Sequence, residues 1–157
     1  EGSVTAGNSS GINDGAAAVV LMDRGLAESR GLQPMARLVS YAVAGVEPAV
    51  MGIGPVPASF KALERAGIRL DDVDVIELNE AFSSQALAVL QELSLDSDDS
   101  RLNIDGGALA IGHPLGASGA RILGKAASLL RRTDGEYALA SMCIGGGMGI
   151  ATILRRH

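Results

Sequence analysis

Two apolar runs near the C-terminal end constrain the fold most. Tyr137–Met142 and Met148–Leu154 are each of strand length, and only the five residues Cys143–Gly147 separate them. Parallel neighbours need a crossover of about a dozen residues or more. The pair is therefore predicted to be antiparallel within one sheet. Upstream, strand candidates alternate with helix candidates, which predicts an α/β layered fold on a mixed sheet. The strand candidates are Ala16–Met22 (AAAVVLM), Met35–Val46 and Val73–Leu78. The length of Ala16–Met22 between Gly15 and Asp23 suits a buried strand, although periodicity alone does not separate strand from helix there.

The helix candidates have stop signals. Arg24–Arg30 halts at Gly31, and a helix from about Ala58, with Phe60 and Leu63 at helical spacing, halts at Gly67. Ala81–Leu93 is amphipathic, with Phe82, Ala86, Val89, Leu90 and Leu93 on one stripe. Ala120–Arg132 is rich in Ala and Leu, and Arg131 and Arg132 suit the negative end of its dipole. Loops are expected at Glu1–Gly15, at Val50–Pro57 (VMGIGPVP), at the acidic, solvated Ser94–Ser100, and through the glycine-rich Asn103–Gly119.

Composition narrows the class. The 157 residues suit one domain (1–157), and 47% hydrophobic content is enough to bury a core. That core is built from small residues, with 21 glycines and only 3% aromatics. A net charge of −5 argues against a broad nucleic-acid-binding face. The single cysteine, Cys143, excludes internal disulfides and cysteine-cluster metal sites. No apolar run reaches the ~18 residues of a membrane span, so a soluble cytoplasmic protein with no membrane partner is expected. The chain begins at Glu1 rather than Met, which leaves room for an upstream segment.

Four segments set a reactive or hydrogen-bonding residue at a turn. Asn79 and Glu80 (VIELNEAF) end a strand and begin a helix. They suit capping, with Asn79 as N-cap and Glu80 favoured by the dipole, and Asn79 could equally orient a water or substrate oxygen. His113 lies in GGALAIGHPLGASG, before a helix N-terminus that would keep the imidazole neutral and available as a base. A structural role for it stays open. Cys143 (ALASMCIGGGMG) is either a small buried hydrophobe or a working thiol, beside glycines whose N–H groups could form an oxyanion hole. Ala6–Gly15 (AGNSSGINDG) is either a polar turn or a ligand-facing loop. No H-x-x-x-H pattern is present, so metal catalysis is not expected, and neither is serine hydrolysis. One His, one Cys and one Asn in glycine-rich turns suit proton transfer next to a carbonyl.

AGNSSGINDGAA (Ala6–Ala17), NEAF (Asn79–Phe82), GGALAIGHPLGASGAR (Gly106–Arg121) and CIGGGMG (Cys143–Gly149) occur in this order. Together they closely resemble the C-terminal half of thiolases, the acetyl-CoA acetyltransferase and 3-ketoacyl-CoA thiolase family. The resemblance implies a layered half with a five-stranded mixed sheet flanked by helices. It implies Claisen condensation of acetyl-CoA or thiolytic cleavage of 3-ketoacyl-CoA, in fatty acid metabolism, with the CoA thioester as substrate and no separate cofactor or metal. In it, His113 activates the nucleophile and helps form one oxyanion hole, which Asn79 completes through a water. Cys143 moves the α-carbon proton and protonates the leaving thiolate, and the Gly145 N–H serves a second oxyanion hole. Ala6, Ser10, Ala81 and Phe82 line the pantetheine channel.

The family's nucleophilic cysteine belongs to its N-terminal half, and the context of Cys143 matches the acid/base cysteine instead. These 157 residues alone are therefore expected to lack turnover, with a thiolase N-terminal half as the missing partner and a homo-oligomer as the full enzyme. Ala120–Leu130 is expected to expose an apolar, small-residue face. The alternative is a non-catalytic thiolase-fold module for CoA binding or assembly.

Overall fold

A computed structural model describes residues 2–157, and up to Asp23 it has no strand or α-helix, only a 3-10 turn at Ala6–Asn8. Ala16–Met22, expected as a buried strand, is neither paired nor buried: Val20 is 82% and Leu21 69% exposed. A strand needs a neighbour to take its N–H and C=O groups. Among the described residues this run pairs with no strand edge.

Helix α1 (Arg24–Ser29) begins at Asp23, whose carboxylate accepts from the N–H groups of Gly25 (2.8 Å) and Leu26 (3.3 Å). Strand β1 (Ala36–Gly45) follows. The expected Val50–Pro57 loop is instead helical, with a 3-10 stretch at Pro48–Ile53 and then α2 (Pro55–Ala66). Proline fits the first turn of a helix, where its missing N–H would have no partner. That is why Pro55 opens α2 three residues before the predicted start. Helix α2 ends at Gly67 as expected.

Strand β2 (Val75–Leu78) is buried throughout. Helix α3 (Ser83–Glu92) starts two residues later than predicted, because the chain bends at Ala81 and Phe82 is still extended and bridges to Ser9. The glycine-rich segment holds a short helix, α4 (Ala108–Ile111). Helix α5 (Leu115–Thr133) then begins directly after Pro114, five residues before its predicted start. Gly116 and Gly119 weaken the local helix signal, but burial of Ala117 and Ser118 and packing of Ile122 on the sheet override it. Strands β3 (Tyr137–Ile144) and β4 (Met148–Arg156) complete the chain.

The sheet order is β1-β4-β3-β2. The β3–β4 hairpin is antiparallel, as the short connection demanded, and β2 pairs parallel to β3. The sheet is thus mixed, but it has four strands where five were expected, because Ala16–Met22 does not join it. The other edge of β2 carries a single bridge, Ile76 to Leu102.

Helices cover both faces. Leu63, Ala58 and Ala62 of α2 pack on Ala42, Ala151, Leu139 and Ile153, and Ile122, Ala126, Leu129 and Leu130 of α5 pack on Val75, Ala138, Ala140 and Leu154. Alanines on the strands let the helices approach the sheet closely. The tightest approach is at the hairpin. A Cβ on Gly149 would overlap the Gly54 carbonyl, and one on Gly54 would sit 2.6 Å from the Met148 carbonyl oxygen. The apolar side of α5 faces the sheet, so Ala120–Leu130 does not form the expected exposed face. The exposed apolar stretch is instead Val19–Met22, with Val19 lying over Gly124 of α5.

Candidate functional site

Parallel pairing brings the C-terminal ends of β2 and β3 to one end of the sheet, with Leu78 opposite Ser141. Asn79 follows directly and is fully buried, and its N–H donates to the Ser141 carbonyl at 2.9 Å. Its side chain does not cap α3, as had been expected. The N-cap position is Phe82, which has no side-chain cap. Asn79 instead turns its amide to His113 and Arg121. Nδ2 lies 3.4 Å from His113 Nε2, and Arg121 Nη2 donates to Oδ1 at 3.4 Å. Glu80 is also diverted from its expected role on the α3 dipole. Its carboxylate accepts from Asn103 Nδ2 (2.8 Å) and from the Leu109 N–H at the start of α4 (3.1 Å).

His113 sits just ahead of α5 with Nδ1 2.6 Å from Ser118 Oγ. The Ser118 hydroxyl donates to the Pro114 carbonyl at 3.1 Å, so it receives the proton from Nδ1. That leaves the Nε2 lone pair facing the Asn79 amide. Burial, reinforced by the nearby Arg121 charge, pushes the His113 pKa below the ordinary histidine value, so the ring is a neutral base. The backbone around it is held by the N-terminal loop, since the His113 N–H donates to the Gly11 carbonyl at 3.1 Å. Gly112 has φ +91°, and a Cβ there would overlap the Asn13 side chain.

Cys143 was expected in a turn but lies on β3, opposite Gly149, and the turn itself is Gly145–Gly147. Its thiol is buried at 7% exposure, which pushes its pKa up and keeps it protonated. Two residues back on the same face, Ser141 Oγ is 3.3 Å from Ser59 Oγ of α2. Asn79 and His113 lie toward α5, so the site straddles the sheet end. Among the described residues no hydrogen bond joins Cys143 to His113 or Asn79. Gly145 is exposed, with open space where a side chain would be.

The four expected channel residues fall on two touching segments. The Ser10 N–H donates to the Ala81 carbonyl at 3.0 Å, Ser9 bridges to Phe82, and Ser83 Oγ donates to the Asn8 carbonyl at 3.0 Å. Ala6 sits in the exposed 3-10 turn beside them.

Three residues that shape the site went unnoticed in the sequence. Ser118 lies five residues after His113, and Arg121 is one helical turn further along α5. Glu77 shares a strand face with Asn79 and is 1% exposed. The visible signal was a carboxylate within the apolar strand VIEL. No group of three His, Cys, Asp or Glu side chains able to hold a metal ion occurs among the described residues.

A family model described as "Thiolase, C-terminal domain" matches residues 32–156, and one described as "Thiolase, N-terminal domain" matches residues 1–25. The chain is 59% identical over 155 residues to a beta-ketothiolase of Cupriavidus necator, covering 99% of this chain and 39% of the relative. It is 56% identical over 155 residues to an acetyl-CoA acetyltransferase of Escherichia coli, with the same coverage of each chain. The crystal structure of the Bacillus anthracis acetyl-CoA acetyltransferase superimposes with a TM-score of 0.95 at 49% identity, covering 99% of this chain and 39% of that one. Human mitochondrial 3-ketoacyl-CoA thiolase in complex with CoA superimposes with a TM-score of 0.89 at 45% identity, covering 98% and 39%. The chain thus spans about two fifths of the length of these relatives.

Proposed function

The chain belongs to the thiolase family, and from that premise we propose that its residues supply the acid–base and oxyanion-binding share of a site that condenses acetyl-CoA or cleaves 3-ketoacyl-CoA. The observation that carries this reading is the 2.6 Å contact of His113 Nδ1 with a Ser118 hydroxyl that itself donates to the Pro114 carbonyl. The Ser118 relay holds the proton on Nδ1 and aims the Nε2 lone pair at the site. A neutral imidazole so held accepts the proton of a cysteine nucleophile contributed from outside these 157 residues. Once protonated, Nε2–H can donate to the thioester oxygen. Asn79, buried and facing the same nitrogen, orients the water that completes this oxyanion hole.

Cys143 takes the second proton transfer. In cleavage its protonated thiol donates to the α-carbon of the departing acetyl-CoA enolate, and in condensation the thiolate removes that proton. Burial favours the protonated form and so suits the donor step. Gly145, two residues on, is exposed with open space where a side chain would be, and its N–H is the donor for the enolate oxygen in this reading. Residues 8–10 and 81–83 form the strip along which pantetheine approaches. In this reading the CoA thioester is the substrate, and both proton transfers use this chain's side chains.

The test is thiolysis of acetoacetyl-CoA by the chain alone and after mixing with a separately produced thiolase N-terminal half. Turnover only in the mixture supports the reading. Its absence with a half that restores other thiolase C-terminal halves overturns it.

A further inference from the structure

Beneath the site, Glu77 and Arg121 each keep a buried polar atom without a partner among the described residues, and the Arg121 charge acts on the Glu77 carboxyl. Glu77 and Asn79 are two apart at the end of β2, so both side chains leave the same face, toward α5. Glu77 Oε1 is buried and unpaired among the described residues. Arg121, on α5, donates to Asn79 Oδ1 through Nη2, while its buried Nε also lacks a partner. In a guanidinium, Nε–H and one Nη2–H lie along a single planar edge. One edge can therefore hold Asn79 with one hydrogen and a carboxylate with the other.

The other charges facing Glu77 are Lys125 on α5, Asp105 before α4 and Glu80 after β2. Lys125 and Arg132 are both taken up by Asp105. Glu80 is held by Asn103 and by the Leu109 N–H. Arg121 is thus the cation with a donor to spare.

We propose that Glu77 and Arg121 are positioning residues for the His113–Asn79 pair: the ionised Glu77 carboxylate takes the Arg121 Nε–H, and the anchored guanidinium holds the Asn79 amide against His113 Nε2. Ionisation releases the Glu77 proton to solvent. Burial pushes the Glu77 pKa up to about 7, so the clamp tightens as pH rises through neutrality. Only the catalytic consequence of this clamp rests on the acyl-CoA reading above.

The test follows the His113 Cε1–H signal by NMR from acid to mildly alkaline pH, with His157, the only other histidine, as reference in the same spectrum. The wild type is expected to show two steps. The larger is protonation of His113 itself, below the ordinary histidine range, and the smaller lies near pH 7, where Glu77 ionises. Glu77→Gln removes the second step and leaves His157 unmoved. Arg121→Lys keeps the charge but not the planar edge, so it also removes the second step while leaving the first. Arg121→Met removes the charge and raises the first. A second step that persists in Glu77→Gln or Arg121→Lys, or that is missing from the wild type, overturns the proposal. In the reconstituted enzyme, Glu77→Gln should lower kcat without changing KM and flatten its dependence on pH across neutrality. The NMR steps need no turnover. An inactive wild-type mixture with both steps present therefore refutes the acyl-CoA reading and supports the clamp.

Discussion

Glu77→Gln keeps the shape of a side chain buried between β2 and α5 and removes its proton equilibrium. Glu77 is 1% exposed, and burial lifts its pKa from the ordinary 4.5 to about 7. A carboxyl group whose folded pKa is raised binds its proton more tightly in the folded than in the unfolded chain. Its stabilising contribution is complete below 4.5 and is lost as pH rises through about 7. Over that interval, at about 1.4 kcal/mol per pH unit, the loss comes to about 3 kcal/mol. Urea unfolding of wild type and variant at about pH 4.5 and about pH 8 isolates this term, because all other titrations cancel in the difference. The wild type should lose about 3 kcal/mol more than Glu77→Gln between the two conditions. Parallel losses would refute the reasoning, since they would mean that Glu77 ionises as freely in the folded protein as in the unfolded one.

Three further outcomes follow from the geometry. Cys143, buried and with its pKa raised, should react with iodoacetamide at neutral pH far more slowly than free cysteine, and fast alkylation there would contradict the protonated thiol. Ser118→Ala removes the acceptor for His113 Nδ1–H and should cost about 1 kcal/mol in unfolding free energy. Imidazole 15N shifts should change from one tautomer, protonated at Nδ1, to a mixture, and a wild-type ring protonated at Nε2 would contradict the Ser118 relay. Gly149→Ala forces a methyl group onto the Gly54 backbone and should destabilise by about 3 kcal/mol, read as a fall in the urea midpoint. An unchanged midpoint would show that the hairpin and α2 can move apart freely.

The parts legible in the sequence were those decided by local chemistry. A five-residue link forces an antiparallel pair, and Gly67 ends α2 where its left-handed φ of +69° is needed. His113 and Cys143 stood out because each is chemically scarce in this chain. What escaped depends on contacts distant in sequence. Ala16–Met22 has the length and apolarity of a strand, yet whether it pairs is set by an available edge rather than by its own residues. Helix α5 starts at Leu115 because packing on the sheet outweighs two glycines. Asn79 looked like a cap because it precedes a helix. Its other reading, as a group that orients an oxygen, was open as well, but where its amide turns depends on Arg121, 42 positions away, which donates to its oxygen. Glu77 was visible as an acid in an apolar strand, but its meaning required knowing that α5 lies over that face.

In the proposed chemistry Cys143 moves protons and never carries the acyl group. The most direct test is the mass of the chain after incubation with acetyl-CoA, alone and with a thiolase N-terminal half present, followed by peptide mapping of Cys143. The expected result is an acetyl adduct on the N-terminal half and none on Cys143 under either condition. An acetyl thioester on Cys143 would contradict it.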